Sequence, residues 1–545
     1  MGAAITKGFG ALIRLVFISI LFPVLSHATA KELVYCSAAS PLRFNPQLAT
    51  DGASFNITRS IYDKLISFEP DKLKVAPGLA KSWKVSKDGK SIDFLLRNDV
   101  HFHTTANFKP TRKLNADDVL FSFNRMRLKK HPYHKVGGGN YKYFRSMGMP
   151  ELIQDIKKIN SHQVRITLSR PEAPIIANLA MEFASILSKE YADKLEKEGK
   201  KELIDLEPVG TGAFVFQKYN KDDSVLLSAH KKYFRGPAKA DKVTVKIIVS
   251  ADTRIQDLLD GKCHFVNSPP PKDLPKLESQ KKIRVMNRPG LNVFYLAFNT
   301  RTEPYNNANF RKAVHHALNR QKIVDVIFKG QAQVAKNPIP PIMWAYNRGI
   351  QDHEYNPSKA REFLKKVKLP EGFKARLWYM TETRSYNPDG KAVADLMKAD
   401  LEHIGLPVEL VTKGWSDYLS DAYEGQFEML QLGWTGDNGD PDNFLYTLLA
   451  CAGAKGGNNY SGWCNKKYTH LVSRARVTTD IRRRTGFYEK AQEIFKQESP
   501  WVTIVHAKIY KAMLKDVVGY RMTPFGHDYL HNVGLKSWEA PKAKK

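Results

Sequence analysis

The sequence predicts an α/β protein built as two lobes. Short β-type runs alternate with amphipathic helical runs along the chain, and two extended apolar segments stand where a chain would cross from one lobe to another. At 545 residues, 42% of them hydrophobic, the chain is long enough for about two to four folded units with sizeable cores. An aromatic share of 11% and a charged share of 26% exclude a disordered or collagen-like chain.

In chain order, the first element is an export signal. Lys7 and Arg14 precede an apolar run, Leu15–Leu25, and His27-Ala28-Thr29-Ala30 offers an A-x-A cleavage site. The run is far shorter than the ~20 residues a membrane-spanning helix needs. Cleavage after Ala30 leaves a chain starting at Lys31 and lowers the formal charge from +30 to +28. Cys36 follows bulky Tyr35, which argues against lipid attachment, so a soluble exported protein is expected.

Strands are expected at Ser91–Leu96, Gln163–Leu168 and Val243–Val249. Asn115 supplies an N-cap, and Asp117 and Asp118 supply first-turn acids, for a helix through Val119–Phe123. Phe310–Leu318 and Gly390–Ile404 carry helical periodicity, and a further helix ends near Gln497. Gly290–Asn299 is dense in apolar residues and forms the first crossing; Val502–His506 forms the second. Two crossings imply a discontinuous first lobe and a cleft that a hinge rotation could close. The C-terminal Ala540–Lys545 tail is expected to fray.

Four cysteines in an exported chain can pair in three ways. Cys451 and Cys464 bracket a Gly/Asn/Ser-rich stretch, so a local bridge is the simplest choice, leaving Cys36 to pair with Cys263. Zinc is the competing use, but no C-x-x-C spacing or histidine cluster accompanies the cysteines.

Other function classes are poorly supported. No G-x-S-x-G, H-E-x-x-H or P-loop motif is present. Asp437, Asp440 and Asp442 fit a turn around Pro441 better than a metal site. His101-x-His103 alternates around Phe102 in a strand-like pattern, and His315-His316 lies on a helix, so neither pair builds a metal site alone. The 85 basic residues against 55 acidic ones are dispersed rather than gathered, which disfavours nucleic acid.

Several stretches resemble the extracellular family-5 solute-binding proteins of peptide and nickel ABC importers. They include Leu79-Ala80-Lys81-Ser82-Trp83, Phe94-Leu95-Leu96-Arg97, Leu114-Asn115-Ala116-Asp117-Asp118-Val119 and Pro208-Val209-Gly210-Thr211-Gly212, the last departing at Ala213 where proline is usual. Arg170-Pro171-Glu172-Ala173-Pro174, Ala184–Ala192 and Gly433–Phe444 are most similar to the family's dipeptide-binding members, and the four cysteines fall where those members have two bridges. The resemblance spans Leu33 to about Asn532. It implies a periplasmic-binding-protein fold with an inter-lobe ligand cleft and an extra subdomain in the first lobe. The expected division is 1–30 signal, 31–290 lobe I, 291–507 lobe II, and 508–545 a return to lobe I and tail.

The resemblance also implies a non-enzymatic carrier, with no cofactor, that delivers a small peptide to an inner-membrane permease as a monomer. It assigns Asp437 to the ligand α-ammonium and Arg384 to its carboxylate, with Tyr386 and Trp434 beside the ligand and Gly433 and Gly52 where backbone approaches it. The residue types suit a dipeptide zwitterion, whose two charges lie roughly 7 Å apart at ~3.3–3.6 Å per residue. Read by themselves, a lone loop arginine such as Arg384 is more often solvated than ligating, and Asp437 is equally a turn residue bonding its own backbone. Family relatives that carry haem, glutathione or cationic antimicrobial peptides supply the alternatives; a +28 protein repels cationic peptides.

Overall fold

The computed structural model describes residues 1–4, 30–454 and 457–538. The apolar run of the export signal and the Ala540–Lys545 tail lie outside them. By its contacts the chain divides into Met1–Ala30 and Lys31–Lys545; the fold below is that of the second unit.

A mixed twelve-stranded sheet runs through this unit. One half carries, from its edge inward, Val408–Val411, Ala375–Trp378, Met429–Thr435 and Asn292–Phe298. The other carries Phe214–Asn220, Ser224–Ala229, Lys242–Ile247, Glu32–Ser37 and Phe265–Asn267. The 14-residue strand Trp501–Leu514 joins them: it pairs antiparallel with Asn292–Phe298 through Val505 and with Ile283–Pro289 from Lys508 onward. The two crossings expected from sequence are therefore neighbouring antiparallel segments. Between them Gly290 N–H donates to the Ala507 carbonyl at 3.1 Å, and a Cβ on Gly290 would stand only 2.7 Å from that oxygen. Glycine is needed there because two backbones touch.

A separate four-stranded antiparallel sheet orders Ala80–Val85, Ser91–Leu96, Gln163–Leu168 and Ile153–Asn160, with the helix Ala116–Arg127 packed on it. Asn115 and Asp118 close a capping box at that helix start, as the residue pattern implies. This sheet's apolar face joins the same continuous core as the large sheet. Gly210 and Gly212 of the Pro208–Gly212 stretch press on the backbone of Ser60 and Ile61, where any Cβ would collide.

Both disulfides form, Cys36–Cys263 with Cα atoms 5.9 Å apart and Cys451–Cys464 at 4.5 Å. The first is enclosed by its own apolar cluster of Ile255, Leu258, Val266, Leu277, Ile283 and Ala512.

Three local expectations differ. The strand expected to reach Val249 ends at Ile247, because the Ile248 and Val249 carbonyls are taken by the Arg254 guanidinium at 2.5 and 2.7 Å. His101–His103 is irregular backbone rather than strand: His103 is buried and its Nε2 meets the Gly212 carbonyl at 2.9 Å. The second crossing extends well past His506. No described helix is long and apolar enough to cross a membrane.

Candidate functional site

The buried strand Met429–Thr435 organises the site, since both proposed ligand-binding charges depend on its end. Gly433 faces the Tyr386 ring: a Cβ there would collide with that ring and stand 2.7 Å from the Val293 carbonyl. Tyr386 is buried and stacks 6.5 Å from Phe294, within reach of the Arg384 charge. Burial pushes its hydroxyl up to about 12, against the opposing pull of Arg384. The glycine thus admits an aromatic side chain that packs beside the Arg384 loop.

Arg384 sits in a loop pinned by reciprocal backbone bonds to Asn387, each 3.0 Å. The buried Asn387 side chain anchors the loop further by donating to Gln431 Oε1 at 3.1 Å. The guanidinium lies 5.0 Å from the Trp415 ring centroid, 3.2 Å from the Thr383 carbonyl and 3.8 Å from Glu382. Its side chain stays 38% exposed, so part of its donor fork remains open to an incoming carboxylate.

Beyond the strand, the chain turns at Gly436 into Asp437. Asn443, near the start of the helix Asp442–Leu449, fixes this turn: its Oδ1 accepts from Asp437 N–H at 3.0 Å and from Trp434 Nε1 at 2.9 Å. Its Nδ2 donates to Asp437 Oδ2 at 3.2 Å, while Tyr143, far away in sequence, donates to Oδ1 at 3.3 Å. Asp437 keeps part of its surface accessible yet lies deep among neighbouring groups. That desolvation pushes its carboxyl from 3.8 up to about 7, with the bonds from Asn443 and Tyr143 opposing the rise. Nearby, burial alone would raise Glu182, but Arg59 at 2.5 Å and Lys64 at 3.3 Å hold it well below the carboxylate range. Among the described residues, no Lys or Arg forms an ion pair with Asp437.

Trp434 is therefore a scaffold contact as well as a candidate wall. Gly52 is the exposed first residue of the helix Gly52–Ile61, capped by Asp51, and nothing lies within 4 Å of where its Cβ would be. Its own chain does not demand glycine there. Tyr143 and Asn443 were missed by sequence reasoning. Asn443 lay inside the Gly433–Phe444 stretch, and its place after Pro441 was a signal for a turn-binding side chain; Tyr143 gave no local signal. His315 and His316 are buried with His353 edge-on, and among the described residues no group of His, Cys, Asp and Glu is placed to hold a metal.

The architecture is that of the two-lobed periplasmic binding proteins. The chain belongs to the bacterial extracellular solute-binding proteins, family 5, whose "family 5 Middle" pattern matches residues 74–456. It is 42% identical over 514 residues to the dipeptide-binding protein of Escherichia coli K12, covering 94% of this chain and 96% of that one. It is 39% identical over 503 residues to heme-binding protein A of Haemophilus influenzae, covering 92% of each. The crystal structure of a dipeptide-binding protein from Pseudoalteromonas sp. SM9913 in complex with Met-Leu superposes with a TM-score of 0.84 at 36% identity, over 93% of this chain and all of that one.

Proposed function

We propose that this protein is the substrate-binding component of an ABC importer, capturing dipeptides in the periplasm and handing them to an inner-membrane permease. The observation that carries the reading is Asp437: an enclosed carboxylate held by two neutral donors, ready for an ammonium. Arg384 answers the other terminus through a bidentate fork. Tyr386, Trp434, Gly433 and Gly52 complete the ligand surroundings. The lobes divide as 31–290 and 291–507, with 508–545 returning to the first, and the sheet around Ser91–Leu96 belongs to an added subdomain. Export follows from a signal cleaved after Ala30; the mature chain is a monomeric carrier without catalytic chemistry.

Calorimetric titration of ligand-stripped protein with a dipeptide, its N-acetyl and C-amide forms, a tripeptide, glutathione and haem tests this. The free dipeptide should bind tightest and lose that affinity in Asp437→Ala. Heat from haem alone, with none from dipeptide, would overturn the assignment in favour of the haem-carrying branch.

A further inference from the structure

The Arg170–Pro174 stretch reaches across to the segment that follows Asp437 and to the helix beyond it. We infer that Glu172, Arg476, Asp442, Asp440 and Arg484 form an interlobe clasp that holds the closed state and sets ligand affinity without touching the ligand. The inference rests on the lobe assignment just proposed.

Arg476 Nη2 and Nε reach Glu172 Oε1 at 2.5 and 2.8 Å, and Arg476 Nε lies 3.5 Å from Asp442 Oδ1. The Arg476 carbonyl accepts from Ala173 N–H at 2.6 Å, so backbone and side chain of one residue grip the same turn. Arg484 Nη2 meets Asp440 Oδ1 at 2.8 Å, and its Nε meets the Ala475 carbonyl at 3.0 Å, tying the Asp437 turn to the helix that carries Arg476. Beside them Asn438 donates to Asn178 Oδ1 at 2.6 Å. All five clasp side chains are buried. Pro171 and Pro174 fix the backbone on either side of Glu172, which lowers the ordering entropy of presenting it.

When the lobes part, each charge returns to water, so the clasp favours closure only by the difference between the two states. Arg476 Nη2 and Nε converge on Glu172 Oε1 while Arg170 Nε, in the same stretch as Glu172, stands 3.4 Å from Oε2, so the charge-assisted contacts of Arg476 exist only while the two segments stay in register. Because apparent affinity scales with the binding-competent population, weakening the clasp weakens every ligand by one common factor.

The test uses Glu172→Gln and, as a second conservative variant, Arg476→Lys. Two readouts apply: the interlobe distance of ligand-free protein by spin-label spectroscopy, and dipeptide and tripeptide Kd by calorimetry. Expected are a shift toward the open distance and a loss of about tenfold in both Kd values at an unchanged ratio. The charge exchange Glu172→Arg with Arg476→Glu should recover part of the closed population. An unmoved distance distribution in both variants, or a changed dipeptide-to-tripeptide ratio, would overturn the clasp. The distance readout needs no ligand, so absence of heat from dipeptide would count against the binding assignment alone.

Discussion

Replacing Asp437 by asparagine should make the ligand-free protein more stable while removing its response to dipeptide. Burial holds the Asp437 carboxyl at about 7 against an ordinary 3.8. The folded protein therefore binds this proton more tightly than the unfolded chain. Below pH ~4 both states carry the proton and stability is intact; as pH rises toward 7 the folded state must either keep it or bury a charge, and stability falls. At ~1.36 kcal/mol per pKa unit the gap is worth ~4 kcal/mol. Partial exposure screens some of this, and the new amide would keep its oxygen on Asn443 Nδ2 but turn its NH2 to the Tyr143 hydroxyl, which must then re-orient to accept, so about 2 kcal/mol should remain. Unfolding entropy of ~2.1 cal/mol/K per residue over the unit from Lys31 converts that to a Tm rise of ~2 °C. Calorimetric melts of stripped protein at pH 8 and pH 4, with and without dipeptide, read it directly. A gain at pH 8, none at pH 4, and no dipeptide-induced rise are expected. A lower Tm at pH 8, or a full dipeptide response in the variant, would refute the reasoning.

Gly433→Ala should cost about 1–3 kcal/mol by driving Tyr386 off its seat, and chemical denaturation should show that adding Tyr386→Ala recovers part of the loss. Arg384→Lys keeps the charge but loses the fork, so dipeptide Kd by calorimetry should weaken about tenfold to a hundredfold, the equivalent of ~1.5–3 kcal/mol for a charge-assisted bond, while the C-amide should respond less. Loop entropy gives ~5 kcal/mol for removing Cys36–Cys263, which closes a 227-residue separation, against ~3 kcal/mol for Cys451–Cys464 across 13. Serine variants compared by denaturant midpoint should fall in that order.

Elements with strong local signals were legible in the sequence. Gln163–Leu168 and Ser91–Leu96 alternate cleanly and form strands with those bounds, and Asn115 with Asp118 announced its own helix. The long crossing was read short because His506, Lys508 and Lys511 break its apolar run. Each finds a distant partner instead: the Asn292 carbonyl for His506, Gln331 for Lys508, and Asp528 for Lys511. Such partners pay no heed to sequence distance, and the same holds at the site. Asp437 and Arg384 could be named from family resemblance, but the hydroxyl that bonds Asp437 comes from Tyr143, 294 positions away. Gly433 shows the same limit: a glycine in a strand signals close approach, but the sequence does not say that the Tyr386 ring is what approaches it.

The two poles of the site are unequal, and the inequality has a functional consequence. Arg384 is half-exposed and already rests on Trp415 and the Thr383 carbonyl, so a ligand carboxylate replaces contacts that exist without it. Asp437 is enclosed by neutral donors and resists carrying its charge there. An ammonium brought against it removes that resistance, and so supplies free energy toward closure as well as a bond. A carboxylate at the other pole supplies mainly the bond. The amino terminus should therefore be the stricter requirement: in the titration proposed above, N-acetylation of the dipeptide should cost more affinity than C-amidation, and the reverse order would mean that Arg384, not Asp437, governs capture.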